Sequence, residues 1–285
     1  MKPDYITPQF LTTFIGRALE EDVGDGDHST LASIPADATS RAHLLVKQPG
    51  VIAGVEMAIE IFKHVDPALR VDVQIDDGQP VAMGDVVFVV SGSARSILTA
   101  ERLVLNCMQR MSAIATKTRQ FAALIRDTNA KLLDTRKTTP NFRLPEKWAV
   151  AIGGGENHRI GLFDMIMLKD NHIDMAGGIE AAIIRTKEYL RTLNKKLRIE
   201  IETRSLAEVQ QVIDTGGVDI VMLDNMTPVE MKSAVDLING RFLTEASGGI
   251  TEETIRDVAE SGVDFISVGA LTHSVSSMDL SLKAF

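Results

Sequence analysis

Six short apolar segments recur between residues 130 and 270, and amphipathic segments separate several of them. The last three follow one another at intervals of about 22 residues, the size of a strand–loop–helix–loop unit. Strands that alternate with helices pair in parallel through right-handed crossovers. About six or seven such units predict an α/β fold with a closed or nearly closed barrel, and an open doubly wound sheet is the alternative. The segments read KLLDTR, MIMLKD, LRIEIET, DIVMLDN, RFLTEASGG and DFISVGAL.

The N-terminal part of the chain follows a different pattern. A helical periodicity with Pro8 in its first turn comes before short strands that Gly and Pro turns interrupt. We predict a mixed α+β domain over residues 1–112 and a barrel domain, which carries the active site, over residues 113–285. The last residues are expected to pack back on the first domain. The stretch SARSILTAERLVLNCMQRMSAIATKTRQFAALIRD is predicted to form two successive helices.

Composition limits the classes of function. A formal net charge of −9 over 285 residues argues against nucleic-acid binding, which needs a basic surface. No apolar run approaches the roughly 20 residues that a membrane-spanning helix needs, and the N-terminus lacks the features of a signal peptide. The single cysteine, Cys107, cannot form an internal disulfide, so we expect a reducing, cytoplasmic location with this thiol packed in the core.

The polar residues of the second half fall where the predicted strands end. Each apolar segment carries its polar residues at its C-terminal end, and in barrels the loops at that end build the active site. One such strand end would mean nothing, because every strand must end in a polar stretch, but six on one rim favour a site. The ends carry Arg136–Lys137, Lys169–His172, Glu200 with Glu202, Asp224–Asn225, Glu245 with Ser247–Gly249, and Gly269 followed by His273.

Cations are concentrated on this rim in a chain that is acidic overall. Because converging cations repel one another, their grouping predicts a ligand with several carboxylates or phosphates. For each cation taken alone, a solvated loop charge is the usual alternative. The predicted anion-binding cations are Arg136, Lys137, Lys169, His158 and Arg159, and Arg102 on the preceding helix is a further candidate.

Carboxylates and a glycine turn complete the predicted site. Glu202 and Asp224 could bind sugar hydroxyls, hold Mg²⁺ through water, act as an acid/base pair or form salt bridges to nearby lysines. The EASGGI turn precedes a predicted helix capped by Thr251, so backbone N–H groups and the helix dipole favour an anion there. Together with SVGALTH, this turn predicts a monophosphate site. Ser205 and Thr227 are predicted to cap two other helices.

Eight motifs occur in a fixed order: ERLVLN, DTRKTTP, GGGENHR, LKDNH, EIET, MLDN, EASGGI and SVGALTH. With them the chain resembles the quinolinate phosphoribosyltransferases, also called carboxylating nicotinate-nucleotide pyrophosphorylases. The resemblance runs from about residue 15 to the C-terminus, and DTRKTTP and KDNH are its most specific blocks. It implies an N-terminal α/β-sandwich domain, an incomplete α/β barrel, and a homodimer or higher oligomer whose active site faces the N-terminal domain of the neighbouring subunit.

The implied reaction joins quinolinate to phosphoribosyl pyrophosphate with Mg²⁺ and yields nicotinate mononucleotide, pyrophosphate and CO₂ in NAD synthesis. By resemblance, Lys137 would meet the pyrophosphate group, while Glu202 and Asp224 would take the ribose hydroxyls and the Mg²⁺ region. These three are the implied catalytic residues. The implied quinolinate ligands are Arg136, His158, Arg159 and Lys169, with Arg102 from the other subunit. The implied ligands of the 5′-phosphate are Ser247, Gly248, Gly269 and His273.

Three alternative functions stay open at this point. A related phosphoribosyltransferase could act on nicotinate or another aromatic base without decarboxylation, although the number of cations favours two carboxylates. An aldolase-like barrel would use Lys169 to form a Schiff base, because a neighbouring cation can activate a lysine for this reaction. A non-catalytic phosphate-sugar binder would have no need for the paired carboxylates Glu202 and Asp224.

Overall fold

The computed structural model describes residues 2–285. The chain divides into two compact units, and each unit is made of more than one stretch of the chain. The first unit contains the chain up to Arg119, together with Thr138–Gly154 and Leu271–Phe285, and the second contains Gln120–Lys137 and Gly155–Ala270. Within residues 2–285 we find no helix with the length and apolar character to cross a membrane.

The first unit is built on a four-stranded antiparallel sheet with the strand order β12-β1-β5-β3. Two further strands of this unit, β2 and β4, form a separate antiparallel pair. The strands are β1 (Thr39–Val46), β2 (Gly50–Val51), β3 (Arg70–Val73), β4 (Pro80–Val81), β5 (Val86–Ser93) and β12 (Leu280–Ala284).

One face of this sheet is apolar and buried. In β1, Ala42, Leu44 and Val46 are buried while the residues between them are not, which is the alternation that a half-covered antiparallel sheet produces. Phe88 of the sheet meets Phe62 of a helix edge to face, with ring centroids 5.9 Å apart. The helices of this part of the chain are α1 (Pro8–Val23), α2 (His28–Ser33), α3 (Val55–Val65) and α5 (Arg143–Gly153). Pro8 at the start of α1 is confirmed.

A single helix, α4 (Ala94–Ile125), replaces the two helices predicted for this stretch, so that prediction is wrong. The stretch contains no Gly or Pro to interrupt a helix. Its polar Thr116 and Thr118 donate their hydroxyls to carbonyls of the preceding turn, at 2.7 and 2.8 Å, and so remain compatible with the helix. Cys107 is buried in α4, which confirms the core position, and burial raises its thiol pKa to about 12.

The second unit contains six parallel strands in the order β6-β11-β10-β9-β8-β7, which confirms the α/β class. Helices on the chain between successive strands supply the crossovers. The strands are β6 (Lys131–Leu133), β7 (Ile166–Leu168), β8 (Ile199–Thr203), β9 (Ile220–Asp224), β10 (Leu243–Ser247) and β11 (Phe265–Ser267). The helices are α6 (Asp170–Ala176), α7 (Ile179–Thr192), α8 (Leu206–Thr215), α9 (Pro228–Ile238), α10 (Ile255–Glu260) and α11 (Ala270–His273), whose last three residues belong to the first unit.

The six strands form an incomplete barrel. The edge strands β6 and β7 are not paired with each other among the residues described, but Leu133 at the end of β6 makes a parallel bridge to Glu156. Residues that follow both edge strands line one common cavity, so the sheet curls until its edges approach each other. All six strands therefore direct their carboxyl ends to one rim.

Helix starts agree with the sequence in two of three cases. Ser205 caps α8 and Thr227 caps α9 through their side-chain oxygens, as predicted. The prediction for Thr251 is wrong, because α10 begins at Ile255. The N–H of Thr251 instead donates to the hydroxyl of Thr254 at 2.9 Å and closes a turn before the helix.

Candidate active site

A cavity of about 290 Å³ opens at the carboxyl ends of the parallel strands. It brings together six of the residues predicted for the site, from four separate stretches of the chain. Glu202, Asp224, Gly248 and Gly269 lie outside this lining. The lining residues are Asp134, Thr135, Arg136, Lys137, His158, Arg159, Met167, Lys169, Met222, Glu245, Ser247 and Ser267.

The loop after β6 presents Arg136 and Lys137. Thr135 accepts a hydrogen bond from the backbone N–H of Lys137 at 3.1 Å, which tightens the turn. Asp134 is fully buried and accepts bonds from the N–H of His158 at 2.9 Å and the side-chain amide of Asn157 at 2.7 Å. One carboxylate thus ties the two cation-bearing loops together. Sequence reasoning missed Asp134, although an acid directly between a buried strand and two cations was a usable signal.

Arg159 is almost completely buried in the cavity wall, at 9% exposure. One terminal nitrogen donates to the carbonyl of Met165 at 3.3 Å, while Nε is buried without a hydrogen-bond partner. Asp164 holds the loop by accepting the N–H groups of Ile160 and Gly161 at 2.7 and 2.8 Å. Burial lowers the pKa of Arg159, and the charge of Arg136 lowers it further. Two guanidinium groups crowded in this way are suited to a ligand of negative charge.

Lys169 and the two rim carboxylates form a second charged group. The ammonium of Lys169, half exposed, lies 3.5 Å from Glu202 Oε2, so the salt bridge considered as one alternative is present. Burial raises the pKa of Glu202, and the negative charge of Asp224 raises it further against the opposing effect of Lys169. Because Glu202 and Asp224 repel each other, a cation near both would relieve that repulsion. Two carboxylates on adjacent strands are a donor set that fits hydrated Mg²⁺.

The floor of the cavity is a buried cluster of His158, Glu200 and Glu245. His158 Nε2 lies 2.9 Å from Glu200 Oε2 and 3.2 Å from Glu245 Oε2, and both carboxylates are fully buried. Burial and the charge of Glu245 raise the pKa of Glu200. Burial opposes charge on His158, but hydrogen bonds and the charges of the two carboxylates outweigh it and raise the pKa of the ring to about 9. Sequence reasoning placed both acids on the rim but gave neither a role.

These three side chains are close enough to bind a metal ion together, but the histidine is poorly prepared for it. The N–H of Arg159 donates to Nδ1 of His158 at 2.7 Å, so Nε2 is the ring atom that a metal would have to bind. Glu200 and Glu245 both face Nε2 and favour a proton on it. The cluster is therefore better suited to holding a proton between His158 and Glu200 than to binding a metal ion.

The predicted phosphate turn requires glycine at one position. Gly248 has a φ of +99°, and a Cβ there would lie 2.2 Å from Oδ1 of Asn225. Its neighbour Ser247 lines the cavity and accepts the N–H of Asn225 through its carbonyl at 2.9 Å. The interpretation that this turn opens a helix is wrong, because α10 is only six residues long and begins at Ile255. Any anion at this turn would therefore rely on the turn's own N–H groups.

Arg102 and His273 belong to the first unit. Arg102 is exposed on α4 and lines a separate cavity of about 330 Å³ together with Asp27, His28 and Thr99. His273 is exposed at the end of α11, with Nδ1 2.6 Å from the hydroxyl of Ser274. Both side chains are thus accessible to a ligand or a second subunit.

Comparisons with known proteins agree over nearly the whole chain. Residues 27–112 match the family described as quinolinate phosphoribosyl transferase, N-terminal domain, and residues 114–283 match its C-terminal domain. The carboxylating nicotinate-nucleotide pyrophosphorylase of Arabidopsis thaliana, named as chloroplastic, is 48% identical over 99% of this chain and 85% of its own length. The crystal structure of NadC from Streptococcus pyogenes has a TM-score of 0.91 at 40% identity, covering 98% of this chain and 97% of that one. The nicotinate-nucleotide pyrophosphorylase of Francisella tularensis has a TM-score of 0.90 at 38% identity, covering 98% of each chain.

Proposed function

The chain belongs to the quinolinate phosphoribosyltransferase family, and we propose from that premise how the residues of its cavity carry out the reaction. The enzyme transfers phosphoribose from phosphoribosyl pyrophosphate to quinolinate with decarboxylation, in NAD biosynthesis. The products are nicotinate mononucleotide, pyrophosphate and CO₂. The proposal for the site is carried by the crowding of Arg136 and Arg159 in one cavity, where Nε of Arg159 is buried without a hydrogen-bond partner.

Quinolinate occupies the cavity with its two carboxylates on these cations. The guanidinium of Arg159 can form a bidentate bond to a carboxylate, and the carbonyl of Met165 orients it by accepting one of its N–H groups. Lys169 and Arg136 complete the positive wall, and His158 forms the floor. A monocarboxylate such as nicotinate would leave part of this charge unbalanced, which favours the dicarboxylate.

Phosphoribosyl pyrophosphate binds along the rim. Lys137 meets the pyrophosphate group as a compact point charge. Glu202 and Asp224 bind the ribose hydroxyls and hold Mg²⁺ through its water ligands. The 5′-phosphate is bound by Ser247, Gly248, Gly269 and His273.

The chemistry follows from these positions. The ring nitrogen of quinolinate forms a bond to the anomeric carbon while the bond to pyrophosphate breaks, and Lys137 neutralises the departing charge. Glu202 and Asp224 stabilise the positive charge that develops on the ribose ring. Bound Mg²⁺ contributes further neutralisation of the pyrophosphate. The bond between the neighbouring ring carbon and its carboxylate then breaks and CO₂ leaves. The electron pair stays on that ring carbon, where the positive charge of the quaternised nitrogen stabilises it, and a proton from solvent adds to the carbon.

The site is completed in a homodimer in which Arg102 of one subunit reaches the cavity of the other. The support is the family resemblance and the exposure of Arg102. Mixed dimers test this. The Arg102→Ala and Lys137→Ala enzymes, each inactive, should regain activity when they are mixed and their subunits exchange. In each mixed dimer one of the two sites then has both native residues, and the other has both substitutions. If mixing restores nothing although subunits exchange, each subunit carries its own complete site.

We also propose that the enzyme acts in the cytoplasm. Its only cysteine is buried and reduced, which suits a reducing compartment. Cell fractionation with an antibody against the protein measures this directly, and enrichment in an organelle fraction would contradict it.

The assay that tests the function supplies quinolinate, phosphoribosyl pyrophosphate and Mg²⁺ and follows nicotinate mononucleotide and CO₂ together. Equal amounts of both products are expected. Nucleotide formed from nicotinate but not from quinolinate would keep the fold and overturn the substrate. A product trapped on Lys169 by borohydride would instead indicate Schiff-base chemistry.

A further inference from the structure

Arg110 on α4 and Glu146 on α5 form an ion pair in the first unit, and neither residue is one of the proposed substrate ligands. Nε and Nη2 of Arg110 lie 3.0 and 2.9 Å from Oε1 of Glu146, and the carboxylate is completely buried. Arg110 is partly exposed, but burying the charge of Glu146 is unfavourable unless its oxygens are also bonded. The partners of this pair therefore indicate what it holds in place.

Glu146 holds the loop that follows Lys137. Its Oε2 accepts the backbone N–H of Thr139 at 3.1 Å, and its Oε1 accepts the hydroxyl of Thr139 at 2.8 Å. Thr139 stands two residues after Lys137 in the chain. The carbonyl of Thr139 also accepts the N–H of Phe142 at 3.1 Å, so the loop is bonded on both sides immediately before α5.

Arg110 holds the segment that carries His273. Its guanidinium donates to the carbonyl of Thr272 and, at 3.2 Å, to the carbonyl of Val275. These carbonyls lie on either side of His273, and that of Thr272 belongs to the last turn of α11. Lys117, also on α4, adds a bond to the carbonyl of Ser274 at 2.7 Å.

We propose that Arg110 and Glu146 are positioning residues for phosphoribosyl pyrophosphate. This inference rests on the proposed function, in which Lys137 and His273 meet the two phosphate ends of that substrate. The pair bonds to the chain next to each of these residues and so fixes both segments to one rigid helix. Phosphate ligands must be held to a fraction of an ångström to be effective. Of the quinolinate cations, Arg136 lies beside Lys137 on the same loop, whereas Arg159 and Lys169 lie on other loops, outside these bonds.

The test compares Thr139→Val with Thr139→Ser, because only the serine keeps the hydroxyl that bonds to Glu146. Arg110→Lys tests the other end of the pair. Arg241→Lys is the matched control, because Arg241 also donates to helix-end carbonyls, those of Ile238 and Leu237, but lies in the turn between α9 and β10. The measurements are kcat, KM for each substrate, inhibition by pyrophosphate and the melting temperature.

Thr139→Val and Arg110→Lys are expected to raise KM for phosphoribosyl pyrophosphate about tenfold, and to weaken inhibition by pyrophosphate in the same proportion. KM for quinolinate should change by a smaller factor, about threefold or less, because Arg136 alone among its ligands shares the loop that Glu146 holds. Thr139→Ser and Arg241→Lys should behave as the native enzyme. A purely structural role would lower the melting temperature without this separation of the two KM values.

Equal changes in both KM values, or unchanged kinetics in both Thr139→Val and Arg110→Lys, would overturn the proposal. If Arg110→Lys does not fold, the Thr139 variants decide alone, since they leave the ion pair intact. Failure of the proposed function is recognised separately, because the native enzyme would then form no nicotinate mononucleotide from quinolinate.

Discussion

Strand β1 of the first unit and strand β8 of the second bury different kinds of residue. In β1 the buried positions alternate along the strand and are Ala42, Leu44 and Val46. In β8 all five residues are buried, and Glu200, Glu202 and Thr203 are among them. An antiparallel sheet covered on one face needs only every second residue to be apolar, whereas a barrel strand is covered on both faces.

The difference locates the function. On the strands of the first sheet, the buried residues are all apolar, so this sheet contributes mainly stability. On β8 and β10 of the second sheet, Glu200, Glu202 and Glu245 occupy positions that could have held aliphatic residues. Burying those carboxylates lowers the free energy of unfolding. Residues that reduce stability in this way are expected at functional sites, so their presence in the second sheet indicates a function.

The largest effect is expected for Lys137→Ala, which removes a cation from the catalytic rim. We expect kcat to fall about 10³-fold, because charge on the leaving pyrophosphate is no longer neutralised, while quinolinate binding is kept. Lys131→Ala is the matched control, because this lysine lies on the same loop–strand segment at the opposite end of β6 and forms an exposed pair with Glu156 at 2.8 Å. Equal losses of turnover and of quinolinate binding would contradict the assigned role.

Truncations of Leu44 and Ile201 compare the two sheets directly. Both side chains are completely buried, so replacement by Ala should lower the free energy of unfolding by about 2–5 kcal/mol in either case. Leu44→Ala should leave kcat per folded enzyme unchanged. Ile201→Ala should also lower kcat, because Ile201 lies between Glu200 and Glu202 in β8. The measurements are urea unfolding and active-site-normalised turnover, and a loss of kcat in both variants would remove the distinction.

Glu245→Gln tests whether buried charge is unfavourable in the second sheet. Both carboxylate oxygens of Glu245 are buried. Oε2 lies 3.2 Å from Nε2 of His158, and Oε1 has no hydrogen-bond partner. We expect the free energy of unfolding to rise by about 1 kcal/mol, because a buried charge is removed while Glu200 remains with the histidine. Turnover should fall at the same time. A variant that is both less stable and less active would show that Glu245 stabilises the barrel.

The same contrast explains how much the sequence could predict. Parallel strands and their polar rim follow from local patterns, because each apolar segment ends where its own charged residues begin. The site's cations, Arg136, Lys137 and Lys169, are adjacent to such ends and could be named in advance. Interactions between distant segments could not. The bond from Asp134 to the loop of His158, and the Arg110–Glu146 pair, join residues that no local pattern relates.

Local signals also failed where two local choices competed. Thr251 and Thr254 are both acceptable helix caps, and the side chain of Thr254 takes the N–H of Thr251, so the helix starts later than predicted. The stretch that forms α4 was predicted to form two helices, but it continues as one, and the hydroxyls of Thr116 and Thr118 bond within it. Which choice prevails depends on packing that the sequence does not show.

The smallest effect is expected at two helix caps, Thr7 in the first unit and Ser205 in the second. Thr7 accepts the N–H of Phe10 at 3.1 Å, and Ser205 accepts the N–H of Glu208 at 3.3 Å. Replacement of either by Ala should lower the free energy of unfolding by about 1 kcal/mol, since one N–H loses its partner. Ser205 stands only three residues after Glu202, yet we expect full turnover from Ser205→Ala, because the pairing of β8 with β7 and β9 fixes the carboxylate. Reduced kcat in Ser205→Ala, with native kcat in Thr7→Ala, would show that the helix start, and not the sheet alone, positions Glu202.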